Sequence, residues 1–212
     1  FTISTRGHQI TREENGQIST YETENDILAE LEALMQPYHS SHRGDLPKVF
    51  NGGLVGYLAY DAISQFEPSV KAPSNDDLGL PDAVFFLADK VIIFDHHLRS
   101  VYVIANAVVD RYDSPADAYR AASASIDQLL DQLNQPLHRT AFNGLVQAET
   151  PDFRSNTTQE EFHKMVETGK EFIAAGDIFQ FVPSQRFETE FSGDPIDLYR
   201  SLRHINPSPY MF

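Results

Sequence analysis

An α+β fold built mainly on antiparallel sheets, with packed helices, is predicted by this 212-residue sequence from three observations. Strand-like apolar runs come first, then one long helix, then a helix-strand-helix series, an order unlike the regular alternation that builds a parallel sheet. Two of the apolar runs are joined by only Asp95-His96-His97-Leu98, for which antiparallel pairing is the economical reading. No segment recurs at any period of about 20 to 50 residues, which removes solenoids and propellers.

In chain order, residues 8–22 (HQITREENGQISTYE) set a Glu-Asn-Gly turn signal between two semi-alternating runs and predict an exposed hairpin. Asn25–Pro37 predicts a helix with Asp26 or Asn25 as cap and Ile27, Leu28, Leu31, Leu34 and Met35 on one face. Residues 53–60 (GLVGYLAY), 83–94 (AVFFLADKVIIF) and 99–109 (RSVYVIANAVV) are β-rich apolar runs. Ser114 before Pro115, with Asp117 at the third helical position, starts a helix that Ala118, Ala122, Ile126, Leu129, Leu130 and Leu133 continue. Asn134–Arg154 is irregular and polar and predicts a linker, giving domains over 1–150 and 151–212.

Thr158-x-x-Glu161 is a capping box, and Phe162, Met165, Val166, Gly169, Phe172 and Ile173 recur at helical steps until Gly176 ends the helix. A strand is predicted over Ile178–Thr189. Asp194-Pro195 opens a last helix to about Ile205, with Ile196, Tyr199 and Leu202 inward and Leu198 a further candidate. Asn206-Pro207-Ser208-Pro209 stops it, because each proline disfavours the helical state in the residue before it.

Apolar residues make up 41% of the chain, enough at this length to bury a substantial core. No run of 18 or more apolar residues occurs, and Phe1–Thr5 lacks the pattern of a signal peptide, so neither a membrane span nor a signal peptide is expected in these residues. The first residue is Phe, which suggests a cut N-terminus. Sixteen basic against 31 acidic residues give a net charge of -15, a field that repels polyanions and argues against a nucleic-acid partner. Zero cysteines exclude disulfides and thiolate metal sites and allow a reducing compartment. A cytoplasmic location is the expectation, with any targeting segment upstream of Phe1 outside this sequence.

Gly52-Gly53-Leu54-Val55-Gly56 lacks the Lys-Ser/Thr of a phosphate loop, and its glycines read better as permitting a bulge or a close backbone approach. His96 and His97 are adjacent in a turn, where neighbouring side chains diverge, and only Asp95 stands near them, so no metal site is expected in this chain. Asp76-Asp77 and Glu160-Glu161 read as solvated surface. The stretch Ala174–Phe187 (AAGDIFQFVPSQRF) differs, because it sets Gly-Asp at a helix-to-strand turn and alternates Gln180, Val182, Ser184 and Arg186 with apolar partners. Pro183 within it marks an edge or a bulge, where side chains are re-aimed toward ligands.

Three stretches in the same order resemble one family. GDIFQFVPSQRF (Gly176–Phe187), LYRSLRHINPSPYMF (Leu198–Phe212) and GGLVGYLAYD (Gly52–Asp61) are similar to segments of the large subunit of anthranilate synthase, in the chorismate-utilising enzymes. The resemblance covers the whole chain but less than half of a usual member. It implies part of a layered α/β sandwich, with 1–150 a regulatory N-terminal domain and 151–212 the first elements of the chorismate-binding domain. It also implies conversion of chorismate and ammonia to anthranilate and pyruvate, ammonia delivery by a glutamine amidotransferase partner, inhibition by tryptophan, and use of Mg2+ through ligands outside this chain. A Leu-Leu-Glu-Ser segment that members use to hold tryptophan is not in this sequence.

By the same resemblance, Asn206, Pro207, Ser208, Pro209, Tyr210 and Met211 stand where the family has its tryptophan pocket, with Pro209, Tyr210 and Met211 as its wall. A proline-bounded backbone can offer carbonyls to an ammonium group, and Tyr and Met offer apolar contact to an indole. Relatives that add water to chorismate carry a lysine at the position of Gln180, which suits a base toward water. Glutamine takes no proton at neutral pH and so favours ammonia. Phe181 stands where valine is common. Aminodeoxychorismate synthase shares the Gly-Asp-x-x-Gln pattern and is the neighbouring alternative; a binding module for an amino acid or a partner is the non-catalytic one. The reading expects Gln180 to face inward, beside the proline-stiffened corner.

Overall fold

The computed structural model describes residues 1–38, 49–67, 69–71, 76–136 and 151–212. They divide into two compact units, Phe1–Pro136 and Leu137–Phe212. Most of the predicted linker lies outside the described residues.

In the first unit β1 (Thr2–Arg6), β2 (Gln9–Glu14), β3 (Gln17–Glu22), β4 (Gly53–Leu58) and β5 (Ala83–Ala88) form one sheet in the order β3-β2-β1-β5-β4. Every pairing in it is antiparallel. The predicted hairpin is β2–β3. Asn15 and Gly16 both have positive φ, 53° and 76°, as a two-residue turn matched to strand twist requires. The central strand β1 was not foreseen, since TISTR is too short and polar to announce itself. Its alternation nonetheless buries Ile3 and Thr5.

Helix α1 (Ile27–Met35) starts at Asp26, whose carboxylate accepts the Ala29 amide at 2.9 Å. It lays Ile27 and Leu31 against Ile3, Ile10 and Ala83, and Leu34, Leu54 and Phe85 pack around that core. The predicted face is partly corrected: Leu28 is half-exposed and Glu30 is buried instead. Thr23 and Tyr21 hydroxyls and the Asn25 amide all donate to the Glu30 carboxylate. The Thr23 bond is the main cause that holds its pKa below the usual carboxylate range.

The run 83–94 is not one strand. β5 ends at Ala88, opposite the first residue of β4, and β6 (Lys90–Asp95) belongs to a second sheet with β7 (Ser100–Ala105). Between them the Asp89 carbonyl accepts the Asn106 amide at 2.7 Å, so its bond goes to a residue after β7 and the ladder stops. At the β6–β7 turn the Asp95 carboxylate accepts the amides of His97 and Leu98. Helix α2 (Pro115–Leu133) is capped by Ser114 as predicted and packs against β7.

The second unit holds β8 (Arg154–Ser155), α3 (Gln159–Ala175), β9 (Phe187–Glu188) and α4 (Pro195–Ile205). The capping box on α3 is complete: Glu161 accepts the Thr158 amide and Thr158 accepts the Glu161 amide. The strand predicted over 178–189 shrinks to β9, paired only with β8. Pro183 has no amide to donate, and β8 offers two residues of ladder. Among the described residues of this unit only Gly169 is buried, and Ile196 and Leu202 on α4, expected inward, are half-exposed.

A pinned loop as the candidate functional site

Gly52–Asp61 owes its glycines to backbone approach. A Cβ on Gly56 would lie 1.9 Å from the Val84 carbonyl oxygen of β5. Gly52 has φ 147°, and a Cβ there would meet the Asn106 amide nitrogen, which donates to Asn51 O at 2.7 Å. The segment is a tight strand join with no phosphate loop in it.

The segment 176–187 is held at three points, all on its own unit. At the first, Gly176 sits in the left-handed region at φ 84°, its amide donating to Ile173 O and the Asp177 amide to Phe172 O at 3.1 Å. That paired closure sends the chain back along α3. At the last, the Arg186 amide donates to the Asn156 side chain at 2.8 Å, and the Asn156 amide returns a bond to Arg186 O at 3.1 Å. Helix α3 has 17 residues, about 25 Å of length, and a chain of this length spans that distance readily.

The middle point is the Phe181 ring. It lies on Gly169 so closely that a Cβ there would come 2.2 Å from its Cδ1. Glycine inside a helix costs about 1 kcal/mol relative to alanine, and what it admits here is an aromatic ring. Beside the ring opens a recess of about 380 Å³ lined by Glu161, Lys164, Met165, Thr168 and Phe181.

Gln180 lies between the first and middle points and is exposed. This corrects the inward placement expected of it: no hydrogen bond joins Gln180 to the Asn206–Met211 corner among the described residues. The corner itself follows α4, where the Asn206 amide closes the helix on Leu202 O at 2.9 Å. Pro207, Ser208 and Pro209 are exposed, Tyr210 is 87% exposed, and Met211 is half-buried. The Tyr199 hydroxyl lies 3.4 Å from Met211 O and ties the tail to the helix. Gln180 and the corner up to Tyr210 are therefore exposed, in a unit whose described residues bury almost nothing.

Sequence reasoning missed Asn156, the bond from Tyr199 to Met211 O, and the use of Gly169 as a seat. The bonds of Asn156 and Tyr199 reach distant residues and have no local signature. Gly169 could have been noticed, because a glycine on the apolar stripe of a helix asks what fills its space. Among the described residues no group of three or more His, Asp or Glu is placed to hold a metal. No helix among them is long and apolar enough to cross a membrane.

The chorismate binding enzyme family matches residues 2–212. Anthranilate synthase component 1 of Acinetobacter calcoaceticus is 42% identical over 169 residues, which is 79% of this chain and 32% of that protein. The chloroplastic anthranilate synthase alpha subunit 2 of Arabidopsis thaliana is 34% identical over 219 residues, 99% of this chain and 35% of that one. The crystal structure of anthranilate synthase component I from Streptococcus pneumoniae TIGR4 superposes with a TM-score of 0.74 at 32% identity, covering 100% of this chain and 46% of its own. This chain thus spans about a third to under half the length of the relatives it matches. With the α+β architecture shared with that crystal structure and the match running from end to end, the chain belongs to the chorismate binding enzyme family.

Proposed function

We propose that the chain is part of an anthranilate synthase large subunit, in which chorismate and ammonia give anthranilate, pyruvate and water at the start of tryptophan biosynthesis. Ammonia comes from glutamine through an amidotransferase partner. The carrying observation is the end-to-end likeness to anthranilate synthase component 1 together with Gln180, a carboxamide on a loop pinned at both sides, where the resemblance implies lysine in water-adding relatives. Water must lose a proton before it attacks; unprotonated ammonia already has its lone pair and needs only orientation. The Gln180 carbonyl oxygen can accept one ammonia N–H and leave the lone pair free.

Asn206–Met211 is proposed as one wall of a pocket for inhibitory tryptophan. The Tyr210 ring is open to an indole, and since Met211 O faces Tyr199, carbonyls earlier in the corner are the ones left for an ammonium group. Mg2+ would stabilise negative charge on the substrate, but the described residues supply no site for it, so no step here runs through the metal.

The test uses the complete gene product with chorismate, Mg2+ and ammonium salt. Anthranilate is the expected product, and Gln180→Lys is expected to divert chorismate toward the hydroxylated product at the expense of anthranilate. Formation of aminodeoxychorismate by the unaltered protein, or a Gln180→Lys variant with unchanged products, would overturn the reading. Residues 1–212 alone are expected to give no turnover.

A further inference from the structure

We infer that Gly169 and Phe181 are a size-matched pair that sets the direction in which Gln180 points, making them positioning residues for the ammonia nucleophile. The inference rests on the function proposed above and adds a determinant to the same site. Phe181 is the residue directly after Gln180, and its ring occupies the space that any side chain at position 169 would need. The contact is made against Gly169, the one buried position among the described residues of the unit, in the middle of α3, whose two ends are fixed by the capping box and by Gly176. The loop ends are hydrogen-bonded, but among the described residues no backbone–backbone bond holds the chain between Asp177 and Gln185. Ring against helix is therefore what restrains the neighbourhood of Gln180. A valine at 181 would not need so deep a seat, and the glycine at 169 is what admits the phenylalanine ring. Changing either half alone leaves a clash or a void.

The complete gene product is assayed for anthranilate with ammonium as nucleophile. Gly169→Ala is expected to raise the KM for ammonia about tenfold, since displacements of an ångström or less near a reacting group have effects of this order. The KM for chorismate and the melting temperature should stay near the unaltered values, which a general loss of structure would not allow. Gly169→Ala with Phe181→Val is expected to restore most of the ammonia KM. An unchanged KM in the single variant, or a double variant no better than the single, overturns the inference. Should Gly169→Ala fail to fold, Phe181→Val carries the test: its void should also raise the ammonia KM, and an unchanged value overturns the pairing. Absence of anthranilate from the unaltered protein refutes the proposed function itself, a different result from any of these.

Discussion

The two units use the same local chemistry and differ in what it builds. Ser114 caps α2 in the first and Thr158 caps α3 in the second, each accepting the amide three residues on. Yet the first unit closes Ile3, Ile10, Ile27, Leu31 and Ala83 into a core, whereas the second leaves Phe172, Ile173, Phe187, Leu198, Leu202 and Ile205 substantially open to solvent. A capped helix with an apolar stripe is a local property, while a core needs elements from distant parts of a chain to meet. In the first unit β1 and β5 are some 80 residues apart and pair directly, Thr5 opposite Ala83. The described part of the second unit has only a two-residue ladder, joining Arg154–Ser155 to Phe187–Glu188 across a much shorter stretch of chain.

Truncation of apolar side chains gives the largest expected difference between the units. Ile10, 1% exposed, should cost about 2–5 kcal/mol as Ile10→Ala, through lost burial and the void left behind. Leu202, 51% exposed, should change stability by about 0.5 kcal/mol or less as Leu202→Ala. Urea unfolding of the 212-residue chain measures both, and equal losses would erase the contrast.

A smaller effect belongs to Glu30. Its pKa is lowered in the folded chain, so the stability it contributes is present above the unfolded carboxylate pKa of about 4.3 and is lost as pH falls through the lower folded value. Thr23→Ala removes the main donor and should cost about 1–3 kcal/mol at neutral pH. It should also flatten the acid limb of a pH-stability curve. An acid limb as steep as before would show that Thr23 does not set the shift.

The smallest effect should be the same in both units. Ser114→Ala and Thr158→Ala each remove a cap worth about 1 kcal/mol, read as a loss of helical circular dichroism at intermediate urea. A marked inequality would mean that packing, not capping, decides whether α2 or α3 forms.

Much of the first unit was legible because its signals are local: the Asn15-Gly16 turn, the Ser114-Pro115 start and the β-rich apolar runs. The break at Asp89 was not, because an apolar strand looks alike whether it runs on in one sheet or passes into the next. β1 was missed for the opposite reason, since its two inward residues, Ile3 and Thr5, matter only once β2 and β5 flank them. Of the candidate site, the positions of Gln180 and of Asn206–Met211 followed from motif similarity. Their outward orientation did not, nor did the part played by Gly169.

By itself the sequence determined where helices start and stop, the hairpin turn, the family and the amide in place of an amine at position 180. These depend on residues within a few positions of one another, or on motif wording. Only the tertiary structure decided which strands share a sheet, that Phe181 rests on Gly169, and that the second unit's described residues leave their apolar faces uncovered. Those outcomes turn on which distant groups come within contact distance, and spacing along a chain does not encode that.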